Sequence, residues 1–192
     1  MNYLEPAGTL VGLAYLWLEY KASIYLWIAS IIMPAIYIVV YYQAGLYADF
    51  GINIYYLLAS VYGWIAWKYH KKGQETTEIQ ESGIGHLPLR TLPILLLLFG
   101  VLFAGIGFIL VRYTDSTVPW LDSFTTALSV IALWMLAKKY VEQWLAWILV
   151  DIVCCGLYFY KDLYFTAILY GFYTVIAIFG FLKWKRLIKA EQ

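Results

Sequence analysis

Two tryptophans and one aspartate share one face of a predicted helix in the second half of the chain. Trp144, Trp147 and Asp151 are separated only by apolar residues, and positions i, i+3 and i+7 fall on the same side of an α-helix. This face is suited to bind a planar cation. Indole rings attract a desolvated cation by about 2 kcal/mol, and the carboxylate would balance its charge.

Each of these residues also has a structural interpretation. A carboxylate inside a membrane is costly, which makes Asp151 a candidate counter-charge or proton carrier, but it could instead be hydrogen-bonded between helices. Trp144 lies close enough to the predicted helix end to belong to an interfacial aromatic belt. Trp147 lies one turn deeper, and this position favours a role in binding.

The composition identifies the class of protein that must hold this face in place. Of the 192 residues, 64% are hydrophobic, 13% are charged and 20% are aromatic, which excludes an ordinary soluble domain and indicates one integral membrane domain. The net charge of +1 gives no sign of nucleic-acid binding. The N-terminus lacks the basic region of a cleavable signal peptide, so the first apolar segment is expected to be retained. The adjacent Cys154 and Cys155 are interpreted as small packing residues.

Seven apolar segments are predicted to cross the bilayer, since about 20 apolar residues span it. They cover about residues 6–18, 23–42, 48–67, 91–111, 120–137, 141–160 and 163–182. A polar stretch from Lys68 to Arg90 is predicted to be a solvated linker. With seven spans, eleven of the thirteen Lys and Arg residues fall on one side, which predicts an external N-terminus and a cytoplasmic C-terminus in the inner membrane.

The chain also resembles itself. Tyr20 set against Tyr140 brings Trp27 onto Trp147 and Ile31 onto Asp151. After a shorter loop in the second copy, further matches pair Tyr56 with Tyr173, Gly63 with Gly180 and Trp67 with Trp184. The predicted fold is therefore all-α: a repeat at about 5–69, a cytoplasmic linker at about 70–90, a connector helix at about 91–112 and a second repeat at about 120–186. Because one extra crossing separates the copies, they must be parallel, as in the SWEET sugar carriers, with a substrate site expected at their interface.

Further candidate binding residues come from both copies. Ser129 lies on a polar strip of the fifth segment with Asp122, Thr125 and Thr126, and its hydroxyl could bind a ligand or its own helix. Asn53 is a similar candidate in the first copy. The repeat partners Tyr56 and Tyr173 are candidates for inward-facing tyrosines. Trp27 could form an opposite wall of the site, although helix packing is the commoner role.

The sequence shows none of the motifs of hydrolytic or metal enzymes. It has no metal-ligand spacing, phosphate-binding glycine loop or nucleophile–base pair, and both histidines fall in the linker. The chain is therefore predicted to be neither an enzyme nor dependent on a cofactor or metal.

Several motifs together resemble the PnuC-type vitamin transporters over nearly the whole chain. In the first copy these are Gly45-Leu-Tyr-Ala-Asp-Phe-Gly51 and Tyr62-Gly-Trp-Ile-Ala-Trp67. In the second copy they are Thr126-Ala-Leu-Ser129, Trp144-x-x-Trp147-x-x-x-Asp151 and Leu163-Tyr-x-x-Ala-x-Leu-Tyr170. The resemblance implies a SWEET-like homotrimer that carries an unphosphorylated vitamin, commonly nicotinamide riboside, by facilitated diffusion, with trapping by a cytoplasmic kinase.

Two positions depart from the pattern of that family. Its substrate motif ends in Asn where this chain has Asp151, and a Gln common in the fifth segment is replaced by Leu133. The resemblance therefore leaves two cationic substrates open, nicotinamide riboside and thiamine. Two other classes remain as alternatives: a membrane enzyme or sensor that binds a lipid or quinone, and a structural subunit in which Asp151 only packs.

Overall fold

A computed structural model describes residues 15–43, 47–69, 83–160 and 164–190, and in these ranges the regular structure is helical. Helix α1 is described at residues 15–20. The helices that follow are α2 (Tyr25–Gln43), α3 (Tyr47–Tyr69), α4 (Leu92–Tyr113), α5 (Pro119–Ala137), α6 (Gln143–Tyr160) and α7 (Tyr164–Ala190). The chain forms two compact units, Met1–Gly83 and Ile84–Gln192.

Six of the seven predicted apolar segments fall on α2 to α7, and the first, at about 6–18, lies mostly outside the described residues. The seventh was predicted to end at 182, but α7 continues to Ala190. Among the described residues, four helices are long and apolar enough to cross a membrane: Leu89–Tyr113, Pro119–Ala137, Gln143–Tyr160 and Ala167–Lys189. Proline in the first turn of α4 and of α5 fits the start of a helix, where its missing N–H has no helical partner. The all-helical multi-pass fold predicted from composition is thereby confirmed.

In the first unit, α2 and α3 pack through a tryptophan and a glycine. A Cβ added at Gly63 would lie 2.3 Å from the Trp27 ring, so only glycine allows this approach. Trp67 meets the same ring edge-on at a centroid distance of 5.6 Å and an angle of 85°. Trp27 is completely buried by these contacts.

In the second unit, α6 and α7 repeat this arrangement. A Cβ at Gly180 would lie 2.7 Å from the Trp144 ring, and Trp184 meets that ring at 5.6 Å and 90°. Helices α4 and α5 also approach through a glycine, since a Cβ at Gly107 would lie 2.6 Å from Trp120. Among the described glycines, three lie this close to a tryptophan ring, and the contacts at Gly63 and Gly180 are equivalent in the two units.

One shift of 117 positions, the difference between 144 and 27, relates the described parts of the two units. Ala22 and Lys139 both have left-handed backbones, with φ of 49° and 56°, at the ends of α1 and α5. Five backbone hydrogen bonds around these turns recur at this shift. In the first unit they are Lys21 N to Trp17 O, Ala22 N to Glu19 O, Ser23 N to Leu18 O, Leu26 N to Ser23 O and Trp27 N to Ile24 O; in the second they are Lys138 N to Trp134 O, Lys139 N to Leu136 O, Tyr140 N to Met135 O, Gln143 N to Tyr140 O and Trp144 N to Val141 O.

This shift corrects the predicted alignment of the repeat at its first end. Trp27 corresponds to Trp144, not to Trp147, and Asp151 corresponds to Pro34, not to Ile31. The prediction placed a gap between the helices because the many aromatic residues allow more than one match. The predicted pairs Gly63 and Gly180, and Trp67 and Trp184, make similar contacts in their own units.

The predicted linker is only partly a separate segment. Lys68 and Tyr69 end α3, and residues 70–82 lie outside the described ranges. Residues 85–87 contact the turn between α5 and α6: Gly85 N donates to Lys139 O at 3.1 Å, and Val141 N donates to Gly85 O at 3.0 Å. Glu142 reinforces this contact, because it accepts from Leu87 N at 2.8 Å and pairs with His86 Nδ1 at 2.8 Å.

Candidate functional site

Trp144 is enclosed by its own unit. Its side chain is 0% exposed, because its ring lies on the backbone of Gly180 and meets Trp184 edge-on. The equivalent Trp27 is packed in the same way in the first unit. Helix packing accounts for both residues, while a contact of Trp144 with substrate remains a prediction.

Trp147 faces a different neighbour. It is half-buried and packs against an apolar cluster from α4, α5 and α6 made of Leu95, Ile131, Ala132, Met135 and Ala146. Its indole Nε1 is buried and has no hydrogen-bond partner in the part of the chain that the structure describes. The indole N–H groups of Trp27 and Trp144 are likewise buried without a partner among the described residues, so this feature does not by itself distinguish Trp147 as a ligand contact.

Asp151 is 7% exposed, on α6. No residue within the four described ranges forms an ion pair with it. A buried carboxylate is normally paired or bound to a cation, so this position is electrostatically prepared for a positive charge. The equivalent residue in the first unit is Pro34, so the acid is not required by the repeated packing.

Two tyrosines of α7 interact electrostatically with this carboxylate. Tyr158 stacks on Tyr170 with centroids 5.2 Å apart, and Tyr170 meets Tyr173 at 5.6 Å. Asp151 lies within electrostatic range of Tyr170 and Tyr173. Tyr170 was not among the residues predicted for the site, although its spacing of three from Tyr173 places both on one helix face.

The polar residues of α5 have different hydrogen-bond partners. Asp122 accepts a hydrogen bond from the Ser116 hydroxyl at 2.7 Å, while the Thr125 hydroxyl donates to the carbonyls of Leu121 and Asp122, each at 3.1 Å. The first contact joins the preceding loop to the first turn of α5, and the second occupies the Thr125 hydroxyl with carbonyls of its own helix. Ser129 is half-buried further along α5.

Gln143 is a buried polar residue that the sequence did not single out. It is 0% exposed, and neither its Oε1 nor its Nε2 has a hydrogen-bond partner among the described residues. The equivalent residue in the first unit is Leu26, which is also 0% exposed. At the shift of 117 positions, the apolar Leu26 of the first unit is therefore replaced by the polar Gln143 in the second.

The structure distributes the eight predicted binding residues over the two units. The second unit contains Trp144, Trp147, Asp151, Ser129 and Tyr173; the first unit contains Trp27, Asn53 and Tyr56. Asn53, Tyr56 and Tyr173 are half-buried within their own units. Among the described residues, no three His, Cys, Asp or Glu side chains cluster as metal ligands.

A buried acid within a multi-pass helical membrane protein is typical of a substrate or ion pathway, which is the kind of site that carriers use. The family model described as nicotinamide mononucleotide transporter matches residues 2–186. The chain belongs to this family of transporters.

Individual relatives are distant but cover nearly the whole chain. The nicotinamide riboside transporter PnuC of Escherichia coli (strain K12) is 23% identical over 96% of this chain and 85% of its own length. PnuC of Neisseria mucosa is 24% identical over 100% of this chain and 75% of its own length. The riboflavin/roseoflavin transporter RibM of Streptomyces davaonensis is 22% identical over 94% of this chain and 83% of its own length.

A solved structure has the same fold. The crystal structure of the vitamin B3 transporter PnuC aligns with a TM-score of 0.70 at 23% identity, over 96% of this chain and 81% of that chain. The relatives are transporters, which confirms the prediction that this chain is not an enzyme.

Proposed function

We propose that the protein imports an unphosphorylated cationic vitamin across the inner membrane, with nicotinamide riboside as the first candidate. The observation that carries this proposal is Asp151, a buried carboxylate without an ion-pair partner in the described ranges. Nicotinamide riboside contains a pyridinium ring, whose positive charge the carboxylate would balance. Relatives described as nicotinamide riboside transporters support this choice.

Thiamine is the second candidate, because its thiazolium ring is also a cation. Asp151 in place of the family's Asn, and Leu133 in place of Gln, give fewer amide groups for a ribose and one more negative charge. The riboflavin transporter among the relatives carries a substrate whose ring is uncharged, and such a ring would leave Asp151 without a counter-charge.

The proposed transport cycle opens the binding site to one side of the membrane at a time. Rocking of the two predicted three-helix repeats, joined by α4 in a SWEET-like arrangement, would open the site to either side, and Trp27, Asn53 and Tyr56 are the residues proposed for it from the first repeat. The count of basic residues supports an external N-terminus and a cytoplasmic C-terminus. Transport is facilitated diffusion by a homotrimer, and a cytoplasmic kinase traps the vitamin.

Uptake into proteoliposomes tests this function. Purified protein is compared with empty vesicles for radiolabelled nicotinamide riboside, thiamine and riboflavin, with and without a proton gradient. We expect saturable uptake of at least one cation, no uptake of riboflavin, and a rate independent of the gradient. Uptake of riboflavin alone would contradict the proposed substrate class, and a rate that requires the gradient would contradict facilitated diffusion.

A further inference from the structure

The antiparallel packing of α6 and α7 places Asp151 opposite a tyrosine. Trp144 contacts Gly180 near one end of the helix pair. Seven residues further along α6 is Asp151, and seven residues back along α7 is Tyr173. The two positions therefore lie at the same level, and the electrostatic interaction between Asp151 and Tyr173 agrees with this register.

A second contact between the same helices fixes the position of Tyr170. Tyr158 of α6 and Tyr170 of α7 stack with ring planes only 30° apart and ring centroids 5.2 Å apart. Tyr170 then meets Tyr173 edge-on at 62°. Along α6, Asp151 thus lies between Trp144, which contacts Gly180, and Tyr158, which stacks on Tyr170, and it interacts electrostatically with Tyr170 and Tyr173.

We propose that Tyr170 and Tyr173 form, with Asp151, the part of the site that selects a cationic ring over a neutral ring of the same shape. This inference rests on the proposed function and names residues that perform it. The faces of tyrosine rings attract cations, and a carboxylate at the same level supplies the counter-charge. Trp144 is less suited to this role, since it lies about two helical turns from Asp151, whereas Tyr173 lies at the level of the acid.

The first unit shows that the repeated packing does not require this combination. Under the shift of 117 positions, Asp151 corresponds to Pro34 and Tyr170 to Asn53, while Tyr173 corresponds to Tyr56. The tryptophan–glycine contact is kept in both units, whereas the acid and the second ring occur only in the second. Asp151 and Tyr170 are therefore not needed for the tryptophan–glycine contact that holds each helix pair together.

The test compares a cation with its neutral counterpart. Nicotinamide riboside and its dihydro form share the carboxamide and the ribose, but only the oxidised ring is positively charged. Binding of both, and of thiamine, is measured on purified full-length protein for the wild type and for Tyr170→Leu, Tyr173→Leu and Tyr170→Phe. The control is Tyr160→Leu, because Tyr160 is 77% exposed on α6.

We expect Tyr170→Leu and Tyr173→Leu each to weaken cation binding about tenfold and dihydro-riboside binding by less than about twofold. Tyr170→Phe keeps the ring and should bind the cation nearly as the wild type does, even if the leucine variants are unstable. A large loss in Tyr170→Phe, or equal losses for the charged and neutral ligands, would overturn the inference alone. Wild-type protein that binds neither cation would overturn the proposed function and, with it, this inference.

Discussion

The ring of Trp144 lies directly on the backbone of Gly180, so closely that a single added methyl group would approach to 2.7 Å. Trp27 and Gly63 have the same relationship in the first unit, at 2.3 Å. A bulky ring and a residue without a side chain thus form one interlocking contact, which occurs once in each unit. Such contacts between helices in membranes depend on small residues that allow close approach.

Substitution of Gly180 by alanine should destabilise the protein. The added Cβ forces the buried Trp144 ring or the helix to move, which costs about 1–3 kcal/mol and lowers the melting temperature by several degrees. Gly63→Ala should have the same effect through Trp27. The controls are Gly171→Ala on α7 and Gly51→Ala on α3, where a Cβ meets nothing within 4 Å. Equal melting temperatures for Gly180→Ala and Gly171→Ala would contradict this account.

Gln143→Leu should stabilise the protein in the absence of substrate. Both amide atoms are buried without partners in the described structure, and such groups cost about 1–3 kcal/mol each. Leucine already fills the equivalent position, Leu26, in the first unit. The melting temperature of detergent-purified protein should therefore rise. If it falls, the amide of Gln143 is satisfied within the folded chain.

Glu142→Ala should release residues 83–88 from the turn between α5 and α6. Its carboxylate accepts the Leu87 N–H at 2.8 Å, and this hydrogen bond protects the amide from exchange. Hydrogen–deuterium exchange at Leu87 should accelerate in this variant. His86→Ala serves as the matched control, since it removes the imidazole partner of Glu142 and leaves the Leu87 hydrogen bond. Comparable acceleration in both variants would show that the imidazole, rather than the backbone contact, holds the segment.

Asp151→Asn should reduce the affinity for both cationic vitamins. Removal of one partner of a buried charge pair costs about 2–5 kcal/mol, which corresponds to a loss of roughly 30-fold or more. The asparagine also restores the family's motif, so nicotinamide riboside should retain more affinity than thiamine does. Isothermal titration of both vitamins measures the two losses. Unchanged affinity for both would rule out the counter-charge role.

The sequence predicted the helices well, because each is an apolar segment of bilayer length with a polar or proline-containing boundary. The predicted segments 48–67 and 120–137 differ from α3 and α5 by no more than two residues at either end. The role of Trp144 was harder to predict. Helical spacing places it near Asp151, but which neighbouring helix it meets depends on Gly180, and a glycine leaves no periodic signal of its own.

Other parts of the site could not be predicted from spacing. The orphaned amide of Gln143 and the Tyr158–Tyr170 stack depend on the angle between packed helices, which side-chain periodicity does not encode. The alignment error at the first end of the repeat hid the exchange of Leu26 for Gln143. The left-handed backbones of Ala22 and Lys139 correct the alignment. Such conformations are unusual for residues other than glycine, so the two turns align only when Ala22 is matched with Lys139.

The contact of Trp144 with Gly180 also limits where the chain can change in length. One residue inserted within α6, between Trp144 and Asp151, would rotate the rest of that helix by about 100°. Trp144 would keep its place on Gly180, while Asp151 would turn away from the helix face that it shares with Trp144. The length of α6 between residues 144 and 151 therefore sets the position of the acid, and an insertion there should abolish ligand binding without opening the helix pair.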